Sequence, residues 1–302
     1  MGDEPVILMC VGATKAGTTW LHDQLSAHPE CYLRTIKEYH YFSTNADAQW
    51  AKMIADTRSE IAEISALPAA ARSAYQVRRL DDLASYLPLI TPRSIDATRF
   101  ANYLRASAPS SAKLVGDFTP AYSVIAGKNL EPMLNMRALK VVYLIRDPLA
   151  RLWSHIRMTA DRAAPDAFAQ TCEDLVQRTV LGQEEGGIRG IVRRGDYAGN
   201  LPKLQRIFGD KLLVMFTEDL FTKAGFDRLL GFLGLGSMPA DMAKRVHEGR
   251  ALPMPAALRA AALRFLRPQY DYIAQTFPAL PQAWRDAMAE MNTAPTAQKV
   301  LI

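Results

Sequence analysis

Val11-Gly12-Ala13-Thr14-Lys15-Ala16-Gly17-Thr18-Thr19-Trp20 is the stretch whose reading decides the fold. An apolar run, Val6 to Val11, precedes it and reads as a buried strand. Leu21 to Ala27 follows and reads as the start of a helix. A glycine-bounded turn from strand into helix presents backbone N–H groups and the helix N-terminus to an anion, which makes it a phosphate-type cradle. The frame is nearly that of a Walker A loop, with Gly12, four residues, then Gly17. Thr18, however, stands where the P-loop lysine belongs, and the lysine has moved back to Lys15. In phosphotransferases that lysine reaches the β- and γ-phosphates, with the next hydroxyl on Mg²⁺. Its displacement argues against ATP or GTP and for another anionic group carried by a nucleotide.

Outward from this stretch, strand-like runs alternate with helical ones. Strands are expected at Val6–Val11, Cys31–Leu33, Leu114–Gly116, Val141–Ile145 and Leu212–Phe216. Helices are expected at Thr18–Ala27, Pro148–Ala160, Tyr197–Phe208 and Phe226–Leu233, and again from Ala256 onward. This alternation predicts an α/β fold with a central, mainly parallel sheet flanked by helices on both faces. Ligands in such sheets gather at the carboxyl ends of the strands. The polar turns Gly12–Thr19, Asp117–Pro120 and Arg146–Pro148 all fall there. Thr44–Ser111 differs: it is Ala-rich, helically periodic over Trp50–Ile64 and Ala97–Ala106, and interrupted by Pro68, Pro88 and Pro92. It reads as helical segments over the sheet, either a structural insertion or part of an acceptor pocket or lid.

Composition narrows the class. The 302 residues accommodate one large α/β domain or two smaller ones, and 49% hydrophobic with 22% charged residues is ordinary for a globular protein. A net charge of +5 suits anionic ligands. No Lys/Arg-rich run points to nucleic acid, and Arg78-Arg79 and Arg193-Arg194 read as solvated pairs. Cys10, Cys31 and Cys172 show neither disulfide nor zinc spacing. Acidic residues before the first apolar stretch are the wrong order for a signal peptide, and no apolar run approaches membrane-spanning length. A cytoplasmic protein without a transmembrane segment is expected.

Two further runs carry chemistry. In Lys37-Glu38-Tyr39-His40-Tyr41-Phe42, an extended chain would point Glu38, His40 and Phe42 to one face and Lys37, Tyr39 and Tyr41 to the other. A carboxylate near the phosphate loop suits a general base; taken alone, the same residues fit a surface carboxylate and a core histidine. In Arg146-Asp147-Pro148-Leu149-Ala150-Arg151-Leu152-Trp153-Ser154, Arg146 sits at a strand end, Pro148 suits the first helical turn, and Ser154 lies two turns on. An arginine fork and a downstream hydroxyl are suited to a second phosphate. A surface Arg146–Asp147 pair with an ordinary helix serine is the simpler alternative for that run alone.

Together and in this order, the three runs resemble the sulfotransferases that use 3′-phosphoadenosine 5′-phosphosulfate (PAPS). The resemblance is closest to the branch of the heparan sulfate N- and O-sulfotransferases and their bacterial relatives. Gly12–Trp20 looks like that family's 5′-phosphosulfate loop, Arg146 through Ser154 like its 3′-phosphate motif, and Lys37–Phe42 like its KE-x-H-[FY]-F segment. Asp117-Phe118-Thr119-Pro120-Ala121-Tyr122 resembles EK-[ST]-P-x-Y. Gly195-Asp196-Tyr197, Glu218-Asp219-Leu220 and Phe232-Leu233-Gly234-Leu235 stand in the expected places, and Glu248-Gly249-Arg250-Ala251 is similar to the loop that closes over the nucleotide.

The resemblance implies a P-loop-like three-layer fold forming a single domain over 1–302, with a helical insertion at about 44–111. It implies PAPS as donor without a metal. Lys15, Ala16, Gly17, Thr18, Thr19 and Trp20 would hold the phosphosulfate end, Arg146 and Ser154 the 3′-phosphate, and Gly249 and Arg250 would close over the nucleotide. Lys15 would also stabilise the leaving phosphate, and Glu38 would act as base, with His40 the runner-up. Trp20 and Trp153 read as packing residues, with Trp20 also placed to flank the adenine. His155 reads as structural, and His22, His28 and His247 carry no assigned role. Phe118 and Glu248 replace lysines of the heparan enzymes; both remove positive charge, which argues against a polyanionic glycosaminoglycan acceptor. A small-molecule, lipid or sugar acceptor is expected, and the apolar 44–111 stretch leans toward a small or partly apolar one. The alternatives are a P-loop-type nucleotide kinase, against which the absent GK[ST] counts, and a non-catalytic binding protein, which would have no need of Glu38.

Overall fold

The structure, a computed structural model, describes residues 4–183, 185, 187–242 and 249–293. His247 and Glu248 lie outside them. From the N-terminus the chain runs β1 (Val6–Gly12), α1 (Thr18–Ser26), then three helices, α2 (Asp47–Ala66), α3 (Ala74–Ile90) and α4 (Ala97–Arg105). It continues through β2 (Leu114–Phe118), a short α5 (Gly127–Leu130), β3 (Leu139–Ile145), α6 (Pro148–Ala163), α7 (Phe168–Val180), α8 (Ile188–Arg193) and α9 (Tyr197–Phe208). Last come β4 (Leu212–Phe216), α10 (Thr217–Leu220), α11 (Lys223–Leu233), α12 (Ala256–Thr276) and α13 (Gln282–Thr293).

The four strands form one parallel sheet in the order β2-β1-β3-β4. The central strands carry Ile7, Leu8, Met9, Cys10 and Val11 in β1 and Val141 through Ile145 in β3, all fully buried. A strand buried on both pleated faces needs cover on both, which the flanking helices supply. That is why these segments read as unbroken apolar runs rather than alternating ones. After β1 the chain moves to one side of the sheet for β2 and then crosses back to the other side for β3 and β4. The reversal lies between β1 and β3, where the turns after both strands splay apart and leave a crevice.

Three local expectations are corrected. Cys31–Leu33 contributes only an isolated bridge, Cys31 to Leu114, because a segment this short leaves the sheet after one pairing. Pro88 does not break its segment: it lies in the last turn of α3, where its missing N–H costs one helical hydrogen bond and Thr91 still donates to the Leu87 carbonyl. Asp117 and Phe118, read as a post-strand turn, are the last two residues of β2 and pair with Met9 and Cys10.

Candidate active site

Gly12 ends β1 under tight packing. A Cβ there would stand 2.9 Å from Ser123 Oγ and 3.0 Å from the Tyr143 ring, so only glycine lets the chain turn at this point. The loop then holds Lys15 at φ 71° and Gly17 at φ 89°, both left-handed, before α1 begins. Left-handed backbone costs a non-glycine residue about 1–2 kcal/mol, so the surroundings must hold Lys15 there. Arg146 Nη1 donates to the Lys15 carbonyl at 3.1 Å, and Thr217 Oγ1 donates to the Ala16 carbonyl at 2.8 Å. No side chain caps the first turn of α1, whose amides are therefore left for an anion. Ala16 is the exception among the expected amide donors. It is fully buried and its N–H is spent on the Ala13 carbonyl at 3.1 Å, closing the loop's own turn.

One cleft of about 1450 Å³ opens over this loop. Lys15, Gly17, Thr18, Thr19, Trp20, Glu38, Arg146, Ser154, Gly249 and Arg250 all line it, although they come from positions 15 to 250 of the chain. Seven Lys and Arg side chains face four carboxylates around its wall. Burial pushes the Lys15 ammonium below its ordinary pKa, and the charges of Arg146, Arg162, Arg157 and Lys37 push it further. Cations gathered at one place in this way are stabilised by a bound anion.

The base segment is not extended. Glu38 (φ 60°) and His40 (φ 55°) are both left-handed, and Tyr41–Ser43 makes a single 3₁₀ turn. Glu38 and His40 still meet, with Oε2 and Nε2 3.7 Å apart, while Phe42 joins Tyr39 and Tyr41 in the core. His40 and Lys37 hold the Glu38 carboxyl below its ordinary range against the opposing effect of burial, His40 contributing most. Glu38 is therefore ionised at neutral pH. Lys37 Nζ donates to Thr19 Oγ1 at 2.6 Å, tying this segment to α1.

The helices at 44–111 contribute no residue to the cleft wall, which favours the structural insertion over an acceptor pocket or lid. They grip the Glu38 segment from behind. Arg34, 4% exposed, donates through Nη1 to Asp82 of α3 at 2.6 Å and through Nε and Nη2 to the Tyr103 carbonyl of α4. The other Asp82 oxygen accepts from the Thr35 amide at 2.7 Å and its hydroxyl at 2.6 Å. Arg79 donates to the Thr35 carbonyl, Tyr86 to the Tyr39 carbonyl, and Tyr41 accepts from the Asp96 amide. The left-handed residues are thus held at both ends by side chains of α3 and by backbone groups of α4 and the turn between them.

On the other wall, Tyr197 fixes the backbone of Arg146 from both sides, accepting from its N–H at 3.1 Å and donating to its carbonyl at 2.8 Å. Asp147 caps α6 by accepting from the Ala150 amide, and receives the Tyr270 hydroxyl. Ser154 follows on the same helix and faces the cleft with Arg146. Trp20 is only 2% exposed, donates to the Asp241 carbonyl and sits edge-on to Phe221 and Phe226, a packing role. Trp153 donates to the Leu252 carbonyl and Arg157 to the Arg250 carbonyl, so the segment after Gly249 is strapped onto α6. Arg250 itself reaches Asp161, the Pro165 carbonyl and the Phe168 ring. His155 accepts from Arg151 and is pushed down to about 2 by burial and by Arg151, so it stays a neutral imidazole.

Two sequence readings of charge change. Phe118 is buried and edge-on to His22, away from the cleft, so its replacing a lysine says nothing of the acceptor's surroundings. Arg157, Arg162 and Arg194 line the cleft and were not singled out from the sequence. In sequence, Arg194 reads as half of a solvated pair. Arg193 does turn outward to the Val124 carbonyl, but Arg194 turns inward. The α6 arginines carried a signal: Arg157 is one turn beyond Ser154. Arg194 carried none.

Fold and cleft together define a P-loop-like α/β protein with a cation-lined crevice at the carboxyl ends of its parallel strands. A family model described as the sulfotransferase family matches residues 5–185, and the chain belongs to that family. Among solved structures, a sulfotransferase from Alicyclobacillus acidocaldarius is 18% identical, with 94% of this chain and 100% of that one covered and a TM-score of 0.59. The sulfotransferase domain from the curacin biosynthetic pathway is 15% identical over 89% of this chain and 98% of its own, with a TM-score of 0.44. No curated protein matches the chain. Among the described residues, no grouping of His, Cys, Asp and Glu is suited to a metal ion, and no helix is long and apolar enough to cross a membrane.

Proposed function

We propose that this chain, acting as one domain, transfers a sulfuryl group from PAPS to a hydroxyl or amine of a small-molecule, lipid or sugar acceptor. The observation that carries the reading is the position of Lys15. Its partly buried ammonium is destabilised by three neighbouring arginines, in the same cleft as an ionised Glu38. Lys15 and the amides of Gly17, Thr18 and Thr19 receive the phosphosulfate end and neutralise charge as it builds on the departing phosphate. Arg146 and Ser154 hold the 3′-phosphate, with Gly249 and Arg250 over the nucleotide. Glu38 takes the proton of the acceptor as its oxygen or nitrogen attacks sulfur in line; His40 orients and ionises Glu38. The S–O bond to the phosphate breaks with its electron pair leaving on that phosphate. Positioning and electrostatics supply most of the rate in such transfers. The Lys37–Phe42 segment favours the heparan sulfate N- and O-sulfotransferase branch and its bacterial relatives. The free thiols of Cys10, Cys31 and Cys172 fit a cytoplasmic setting. A kinase is not favoured, because the family and the displaced lysine both count against it.

Calorimetric titration tests this reading with 3′-phosphoadenosine 5′-phosphate (PAP), ADP, and ATP with magnesium. Metal-independent binding of PAP, weakened at least about tenfold in Arg146→Ala, is expected. Preference for ATP with magnesium would overturn it. Because Arg146 also holds the Lys15 carbonyl, ADP binding should weaken too, but less than PAP binding.

A further inference from the structure

Beside Lys37, which acts on both Lys15 and Glu38, four arginines of the cleft act on different parts of it. Arg146 and Arg157 act on Lys15, the donor end of the proposed reaction. Arg162, in the last turn of α6, acts on both Lys15 and Glu38, and Arg194, just after α8, acts on Glu38. Among the described residues neither Arg162 nor Arg194 has an ion-pair partner within contact; the Arg194 guanidinium meets only the Gly190 carbonyl, at 3.3 Å. Position 190 is itself informative. A Cβ there would stand 2.9 Å from Arg194 Nη1, so glycine on α8 leaves the guanidinium room to lie where it does. Arg194 is half-buried with one neutral acceptor, which is costly for a fork matched to two oxygens of a carboxylate, phosphate or sulfate ester; Arg162 is exposed at the rim of the cleft and adds its charge there. The donor already has Lys15, Arg146, Ser154 and the helix amides for its own charges.

We infer that Arg194 and Arg162 form an acceptor subsite beside Glu38 that binds an anionic group, so that the acceptor is a hydroxyl- or amine-bearing acid rather than a neutral alcohol or phenol. This rests on the sulfuryl-transfer reading above and adds the chemical class of the second substrate. It also replaces the lean toward a partly apolar acceptor, because the helices at 44–111 do not line the cleft. Arg194 holding the acceptor's anionic group brings the acceptor over Glu38, and the guanidinium charge partly offsets the repulsion between that group and the Glu38 carboxylate.

The test is calorimetry on PAP-saturated protein with matched pairs of charged and neutral probes: 4-hydroxyphenylacetate against its methyl ester, and glycerol 3-phosphate against glycerol. A charged member binding about tenfold or more tightly than its neutral partner in the wild type is expected. That preference should fall to about twofold or less in Arg194→Gln and be partly restored in Arg194→Lys, with PAP affinity within about twofold of wild type. Charged and neutral probes binding alike, or neither binding, would overturn the subsite while leaving the donor assignment standing. A preference that survives in the Arg162→Gln/Arg194→Gln double variant would overturn it equally. Failure of PAP itself to bind removes the donor assignment, and the acceptor subsite falls with it.

Discussion

The clamp between Arg34 and Asp82 gives a prediction whose size follows from the structure. Both side chains are almost wholly buried, at 4% and 3% exposure, and Asp82 accepts three hydrogen bonds, from Arg34 Nη1, the Thr35 amide and the Thr35 hydroxyl. Asp82→Ala would strand a guanidinium whose only strong remaining acceptor is the Tyr103 carbonyl. Removing one partner of a buried ion pair costs about 3–5 kcal/mol. At roughly 2 °C or more per kcal/mol in a chain of this size, melting should fall by about 6 °C or more. Replacing both partners by apolar groups, as in Arg34→Met/Asp82→Leu, should recover most of that loss because no charge is left buried. It should fall short by about 1–2 kcal/mol, since the Thr35 donors stay unpaired. Differential scanning calorimetry of the wild type, Arg34→Met, Asp82→Leu and the double variant closes the cycle, with Asp82→Ala measured beside it. In the double variant, PAP affinity should be retained while sulfuryl transfer falls, because the clamp holds the Glu38 segment and not the phosphate loop. Asp82→Ala melting within about 2 °C of wild type, or a double variant no more stable than the single ones, would refute the argument.

Lys15→Ala should abolish transfer with melting little changed, because among the described residues the Lys15 side chain has no hydrogen-bond partner; rate and melting curve together check this. Glu38→Gln should lose about 10²-fold or more in rate with PAP affinity retained, and full activity in this variant would move the base elsewhere. His40 is the largest influence lowering the Glu38 pKa, so the acid limb of the kcat/KM profile should lie below the ordinary glutamate range and move upward in His40→Gln. Asp117 is fully buried at the end of β2, and burial pushes its carboxyl up to about 6 despite hydrogen bonds from Thr119 and Tyr122. The folded state therefore holds a proton there that the unfolded chain releases near pH 4, and this group lowers stability as pH rises from about 4 to 6. Urea midpoints should show Asp117→Asn gaining on wild type across that window and running parallel to it above about pH 7.

The parallel sheet and the loop after β1 were legible in the sequence because both are local. An apolar run followed by glycine-bounded polar residues and a helical pattern can fold in few ways, and four of the five expected strands are present as such. Gly12 and Gly17 mark the loop because the backbone there leaves no room for a Cβ or bends left-handed. Residues 15, 38, 146 and 154 could be picked out one motif at a time, but their gathering into one cleft is set by strand order. Three things came only from the tertiary structure. The helices at 44–111 act as a clamp on the Glu38 segment through Arg34–Asp82 and Arg34–Tyr103, contacts 48 and 69 residues apart in the chain. The Ala16 amide closes the loop instead of facing the cleft. Arg193 and Arg194 look alike in sequence, yet one reaches Val124 and the other enters the cleft, because the end of α8 turns them to opposite sides. Periodicity and turn chemistry record what a residue's neighbours in sequence require. Which side chain meets which across the fold is decided by packing, and that is what brings Arg194 to the cleft beside Glu38.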